Sequence, residues 1–253
     1  MTTARVPIAI ALALVLGVAT GSAGVAARQQ APATARAQAP VDLTGYWVSI
    51  VTEDWRWRML TPPKGDYSSL PLTPEARQAA DAWDPARDAA AGEQCRAYGA
   101  AAIMRVPGRI HITWESDSTL RVDTEAGTQT RLFRFGADDG ASPAGAGSWQ
   151  GHSAAEWEIA GGRRGEPVRG GSLKVVTTGM RPGYLRRNGV PYSANAVVTE
   201  YYHAARHANG DAWLFVTTVV EDPQYLNARF VTSSHFKKAA DGATWNPTPC
   251  EAD

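Results

Sequence analysis

The sequence predicts a mainly β protein, a single antiparallel barrel with one short helical insertion. Three observations carry that expectation. From Thr44 onward the side chains alternate in character with a period of two. The alternating runs are rich in β-branched and aromatic residues. Between most of them lie short Gly, Asp, Asn and Pro clusters, such as Glu125-Ala126-Gly127 and His207-Ala208-Asn209-Gly210, which suit hairpins and leave no room for crossover helices. An antiparallel sheet with many strands presents two long unpaired edges unless it closes on itself, so a barrel is the economical arrangement.

Residues 1–27 read as a signal peptide. A lone Arg5 precedes an apolar run from Val6 to Ala19, and small residues close the segment at Val25-Ala26-Ala27. The run is about 14 residues, short of the roughly 20 that a membrane-crossing helix needs, so the expectation is a periplasmic or secreted protein with no integral membrane span after cleavage. Residues 28–40 are Ala, Gln and Pro with no large apolar side chain, and read as a flexible linker that cannot offset its ordering entropy. Residues 41–253 form the barrel domain.

Strands are expected over Gly45 to Glu53, Trp55 to Leu60, Arg109 to Glu115, Thr119 to Thr124 and Thr130 to Phe135. They continue over Leu173 to Thr178, Val197 to His203, Ala212 to Glu221 and Phe230 to Phe236, about nine or ten in all. The helical insertion is Thr73 to Gln94, where Thr73-Pro74-Glu75 supplies an N-cap, a first-position proline and a first-turn acid, and Asp84-Pro85 divides it in two. The glycine-rich stretches Gly136 to Gly147 and Gly161 to Gly171 read as long mobile loops.

The 253 residues are 44% hydrophobic and 20% charged, an ordinary globular composition with enough apolar side chains for one sizeable core. Lys plus Arg and Asp plus Glu both total 25, and this zero net charge removes the long-range attraction that nucleic-acid binding draws on. Both cysteines, Cys95 and Cys250, follow the signal segment, so an oxidising compartment favours one disulfide that staples the Pro-rich tail to the body.

Short motifs carry two resemblances. Gly45-Tyr46-Trp47 resembles the GxW signature at the first strand of lipocalins and the wider calycin barrels, and Thr199-Glu200-Tyr201 is similar to their TDY motif. The resemblance implies a lipocalin-like barrel with a late arginine, here Arg229, over the tryptophan. Cys95 to Gly99, Gly151-His152-Ser153 followed by Glu156-Trp157, Ser172 to Thr178, Thr199-Glu200-Tyr201 and Glu221-Asp222-Pro223 look like the ordered landmarks of a group of exported bacterial β-rich proteins. That likeness implies export and a single β-rich domain, and implies no chemistry.

Asp54-Trp55-Arg56-Trp57-Arg58-Met59 is the most unusual segment. On a strand, Trp55, Trp57 and Met59 share one face and Arg56 and Arg58 the other. Either the tryptophans are core and the arginines solvated, or Arg56 and Arg58 hold a carboxylate or enolate oxygen, with Thr61 to Tyr67 rimming the opening. Glu200 shares a strand face with Val198 and Tyr202, and an acid among apolar and aromatic neighbours is either paired or functional. Gly151-His152-Ser153 lacks the second glycine and the helix of a serine-hydrolase elbow, and the five histidines are too dispersed for a metal site. No cofactor fingerprint is present.

Two functions remain open at this level. One is an exported binding barrel for a small hydrophobic or aromatic molecule, with Arg56, Arg58, Trp55, Trp57 and Tyr202 as contacts. The other is a cofactor-independent isomerase, lyase or cyclase in the same cavity, with Glu200, His152 or His235 as acid or base.

Overall fold

Side chains that alternate inward and outward over nine strands give this chain a closed surface with one filled interior. The computed structural model describes residues 1–2, 33–136, 147–161 and 168–252. The signal peptide expected over residues 1–27 lies almost wholly outside the described residues, as do residues 28–32 of the expected linker and the central parts of both glycine-rich loops. Residues 33–40 form a turn on the barrel: Arg36 N donates to Asp117 O at 3.0 Å, and the Trp157 indole donates to Ala35 O at 2.8 Å. Among the described residues no helix is long and apolar enough to cross a membrane.

Among the described residues eleven strands form in chain order: β1 (Gly45–Ile50), β2 (Arg109–Ser116), β3 (Thr119–Thr124), β4 (Gln129–Phe135), β5 (His152–Gly161), β6 (Val168–Thr178), β7 (Gly183–Arg186), β8 (Val190–Tyr192), β9 (Val197–Arg206), β10 (Ala212–Glu221) and β11 (Phe230–Lys238). Nine of them close into a barrel in the order β1-β11-β10-β9-β6-β5-β4-β3-β2, and β7 and β8 pair separately as a hairpin. The barrel is mixed, which corrects the purely antiparallel expectation. β4 and β5 run parallel, with Phe133 opposite Ser153 and Phe135 opposite Ala155. A hairpin turns the chain round, whereas the longer connection between these two strands returns it to β4's own direction.

The interior is packed by the chain itself. Ile110 and Ile112, Leu120 and Val122, Phe133, Leu173 and Val175, Tyr202, Leu214 and Val216, and Phe236 meet there as one buried cluster. Trp47 belongs to it, 1% exposed, with its indole N–H donating to Leu43 O at 2.9 Å and the Lys238 ammonium 5.3 Å from its ring centre. The basic residue over this tryptophan is therefore Lys238. Arg229 sits on the outer surface and pairs with Glu221.

The chain between β1 and β2 builds a cap with the β7–β8 hairpin. It contains α1 (Trp55–Arg58), α2 (Pro74–Asp81), α3 (Pro85–Ala90) and 3-10 turns at Gln94–Tyr98 and Ile103–Arg105. The expected Thr73 cap holds, its hydroxyl accepting from Ala76 N at 3.2 Å; the helix divides at Asp84-Pro85 as expected, and there the Asp84 carboxylate caps α3 by accepting from Ala86 N at 3.0 Å. Ala97, Tyr98, Ile103 and Met104 join the barrel's own cluster, while Leu72, Ala76, Leu185 and Tyr192 pack with Val198, Val220 and Phe230 in a second one. At the hairpin turn, Gly189 (φ +80°) lies against Trp83, and a Cβ there would come within 2.1 Å of that ring, so only glycine lets the insertion and hairpin meet.

The expected strand Trp55 to Leu60 is the single-turn helix α1. Asp54 adopts a left-handed conformation (φ 52°) that ends the extended chain, and its carbonyl accepts from Trp57 N and Arg58 N. Read at helical spacing, the burial inverts: Trp55 is 64% exposed and Trp57 half-buried, whereas Arg58 is buried. Trp55 and Trp57 thus do not enter the barrel core.

Cys95 and Cys250 stand at disulfide distance, Sγ–Sγ 2.05 Å. The tail they secure is also held by Glu125, whose carboxylate accepts from Asn246 N at 2.7 Å and whose carbonyl accepts from Thr248 N at 2.9 Å. Closing a loop of sequence separation 155 restricts the unfolded chain. Replacing both cysteines by alanine is expected to lower unfolding free energy by about 2 to 5 kcal/mol in urea titrations, with a native-like far-UV spectrum retained.

Candidate functional site

Glu200 lies in the barrel interior, fully buried, and meets Arg131 from β4 across the lumen. Arg131 Nη1 donates to Glu200 Oε1 at 2.9 Å and Nη2 to Oε2 at 2.6 Å, a bidentate pair with both side chains at 0% exposure. The Tyr202 hydroxyl donates to Glu200 Oε1 at 3.2 Å, Arg131 Nη2 donates to Thr177 Oγ1 at 3.3 Å, and Thr177 shares a 2.8 Å bond with Ser153. Burial acts downward on Arg131, but Glu200 and Tyr202 outweigh it and hold the guanidinium above its ordinary value. Burial and the Glu200 charge push the Tyr202 phenol well up. This arrangement keeps Arg131 protonated, and each Glu200 oxygen already accepts from the fork, so the carboxylate is a strut between β4 and β9 rather than a free base.

A second polar cluster sits in the cap, where α1, the 3-10 turn Ile103–Arg105 and β7 converge. Trp57, Ala97, Ala102, Val106 and Leu185 form its apolar wall, and Arg58, Arg105, Arg186 and Arg187 line the same pocket. Free space is small, about 20 Å³ for the centre of a water-sized group. Arg58 is ion-paired with Glu53 and donates through Nε to Arg105 O at 2.8 Å. Arg105 Nη2 donates to Asp54 Oδ2 at 2.9 Å, which explains why Asp54 does not cap α1 with its side chain. Arg186 Nη2 donates to Ser68 O at 2.8 Å, and its guanidinium lies 4.8 Å from the Trp57 ring centre. Burial pulls all three guanidiniums below their usual value. Arg105 falls to about 10, with Asp54 opposing the shift and Arg186 and Arg58 adding to it.

The residues singled out in the sequence divide among three places. Glu200 and Tyr202 face the lumen. Arg58 and Trp57 line the cap pocket. Arg56 is exposed beside them, pairing with Asp66 at 3.4 Å, and Trp55 is exposed on the same helix. His152 and His235 lie on the outward side of β5 and β11, opposite in sense to the buried Ser153, Ser234 and Phe236. His235 meets Glu53 Oε2 at 3.3 Å, the Thr52 hydroxyl at 3.2 Å and Ser233 at 3.1 Å. Glu200, His152 and His235 therefore do not gather in one cavity. The expected rim loop does reach the cap: Asn188 donates to Pro63 O and Asp66 O, both at 3.1 Å, and Asp66 accepts from the Trp57 indole at 3.1 Å.

Arg131, Arg105, Arg186 and Arg187 were not singled out by sequence reasoning. A signal existed for the first, because Arg131 shares a strand face with Phe133 and Phe135. The other three lie in a 3-10 turn and a tight hairpin, where no periodicity marks the inward side. Among the described residues no group of three or more His, Cys, Asp or Glu is placed to hold a metal ion. No protein-family model, curated protein or solved structure matches this chain.

The buried pair makes a stability forecast. Glu200→Gln leaves an uncompensated guanidinium in the lumen and is expected to cost about 3 kcal/mol or more in urea unfolding, whereas the double change Arg131→Met with Glu200→Leu recovers most of that loss.

Proposed function

We propose that the protein is an exported small-molecule-binding β-barrel that takes a hydrophobic or aromatic ligand under its cap rather than inside its lumen. The observation that carries this reading is the cap pocket, whose apolar wall includes the half-buried Trp57 and meets polar donors held on structured elements; its small free space takes one end of a ligand and leaves the rest against the surface of the cap. The lumen supports binding less well, because its apolar residues pack against one another and its polar centre is closed on itself by Arg131 and Glu200. The signal-peptide pattern of residues 1–27 and a cysteine pair at disulfide distance favour a periplasmic or secreted location. Zero net charge argues against nucleic acid as a partner.

Isomerase, lyase or cyclase chemistry has weaker support. It needs an acid or base facing a substrate, whereas Glu200 is engaged by an arginine fork and His152 and His235 are outside the barrel. The groups that line the cap pocket are arginines, which bind and orient but do not exchange protons readily at neutral pH.

Mass spectrometry of small molecules extracted from the protein, purified from its own compartment, tests the reading. A hydrophobic or aromatic compound is expected to co-purify, with occupancy falling about tenfold or more in Trp57→Ala. Retention of the compound by that variant, or no compound in either protein, counts against the cap pocket.

A further inference from the structure

We infer that the cap pocket is an oxyanion site that takes the carboxylate head of a monocarboxylic acid with an apolar or aromatic body. This inference rests on the binding reading above and specifies its ligand. Three arginines at the pocket, Arg58, Arg105 and Arg186, are only 3%, 6% and 4% exposed. Arg58 and Arg105 each have a carboxylate partner, Glu53 and Asp54. Arg186 has none within 4 Å among the described residues, and neither does Arg187, whose Nη2 donates to Arg58 O at 3.4 Å. Asp66 also acts on Arg186 by charge but is already paired with Arg56, so five guanidiniums, Arg56 included, share three carboxylates. A buried cation without a counter-charge is costly to keep, and a bound anion supplies what is missing.

The unused donors point the same way. Arg58 Nη2, Arg105 Nη1, Arg186 Nε and Arg186 Nη1 are all buried without a hydrogen-bond partner among the described residues. Buried guanidinium N–H groups are ordinarily satisfied, and four left over on three side chains lining one pocket make a donor set for oxygen acceptors. Glu53 and Asp54 already show that these arginines take carboxylates from the chain itself.

Size and surroundings narrow the acid. The free space, about 20 Å³, takes no more than a compact head group, and the rest of the ligand stays outside it; guanidinium forks match a planar carboxylate. Outside the head, Trp57, Val106 and Leu185 offer apolar wall, and Trp55, Met59 and Leu60 stand exposed on α1 and its exit. A head in the arginines with a body against Trp57, Val106 and Leu185 matches both halves of the site. The bland alternative is that the four donors hold ordered water and no solute.

Calorimetry on the whole exported protein separates these cases with octanoate, benzoate, methyl octanoate and inorganic phosphate as probes. Octanoate or benzoate is expected to bind at least about tenfold more tightly than methyl octanoate or phosphate, and Arg186→Gln is expected to remove that preference. Equal affinity for octanoate and its methyl ester overturns the carboxylate inference while leaving small-molecule binding intact. Phosphate as the tightest probe overturns it in favour of another oxyanion. No binding of either acid up to about 1 mM overturns it in favour of water, whereas the binding reading itself stands or falls on the co-purification experiment. The ester comparison uses unmodified protein, so the result does not depend on Arg186→Gln folding.

Discussion

An ion pair with no access to water decides how the interior of this barrel is used. Arg131 and Glu200 reach across the lumen from β4 and β9, and Tyr202, Thr177 and Ser153 complete the network around them. Isolated in an apolar interior either charge is expensive, so each requires the other in place, and the two strands are held at one separation and register. Apolar side chains from the remaining strands pack around this strut. A lumen committed in this way is core.

The long insertion between β1 and β2 builds the cap pocket together with the β7–β8 hairpin. It covers one end of the barrel, and the β7–β8 hairpin packs against it, so arginines from three separate stretches of chain converge there. The left-handed Asp54 begins the arrangement by ending the extended run after β1 and starting α1. Its side chain then goes to Arg105 instead of capping the helix it precedes. One residue thus sets the local backbone geometry and supplies one of the carboxylates that meet the pocket's arginines.

Much of the barrel was legible because alternation records which side of a sheet faces the core. β1 to β4 and β9 to β11 follow it closely, and the Thr73 cap and the break at Asp84-Pro85 follow from side-chain chemistry and proline geometry. β5 was harder to see, since its inward residues are Ser153 and Ala155 and its middle carries Glu156-Trp157-Glu158. Trp55 to Arg58 alternates as well as any strand, yet the helix that Asp54 starts makes period two the wrong ruler. Glu200 was legible as a residue needing a partner, but the partner is distant in sequence and paired strands do not announce their opposite numbers. The cap arginines were least legible of all, because turns bury side chains through contacts that no local pattern encodes.

The barrel's seam has a consequence for how the chain acquires its shape. β1 lies between β2 and β11, so that Trp47 is opposite Ile110 on one side and Lys238 on the other. A chain made from its N-terminus onward has β1 and β2 long before β11 exists, and until then β1 carries an open row of unpaired amides and carbonyls beside apolar side chains. Such an edge invites pairing with a neighbouring chain, and closure between the first and last strands is a slow, high-contact-order event. Until residues 230–238 arrive, the β11-facing edge of β1 is therefore a place where the growing chain is open to pairing with its own copies.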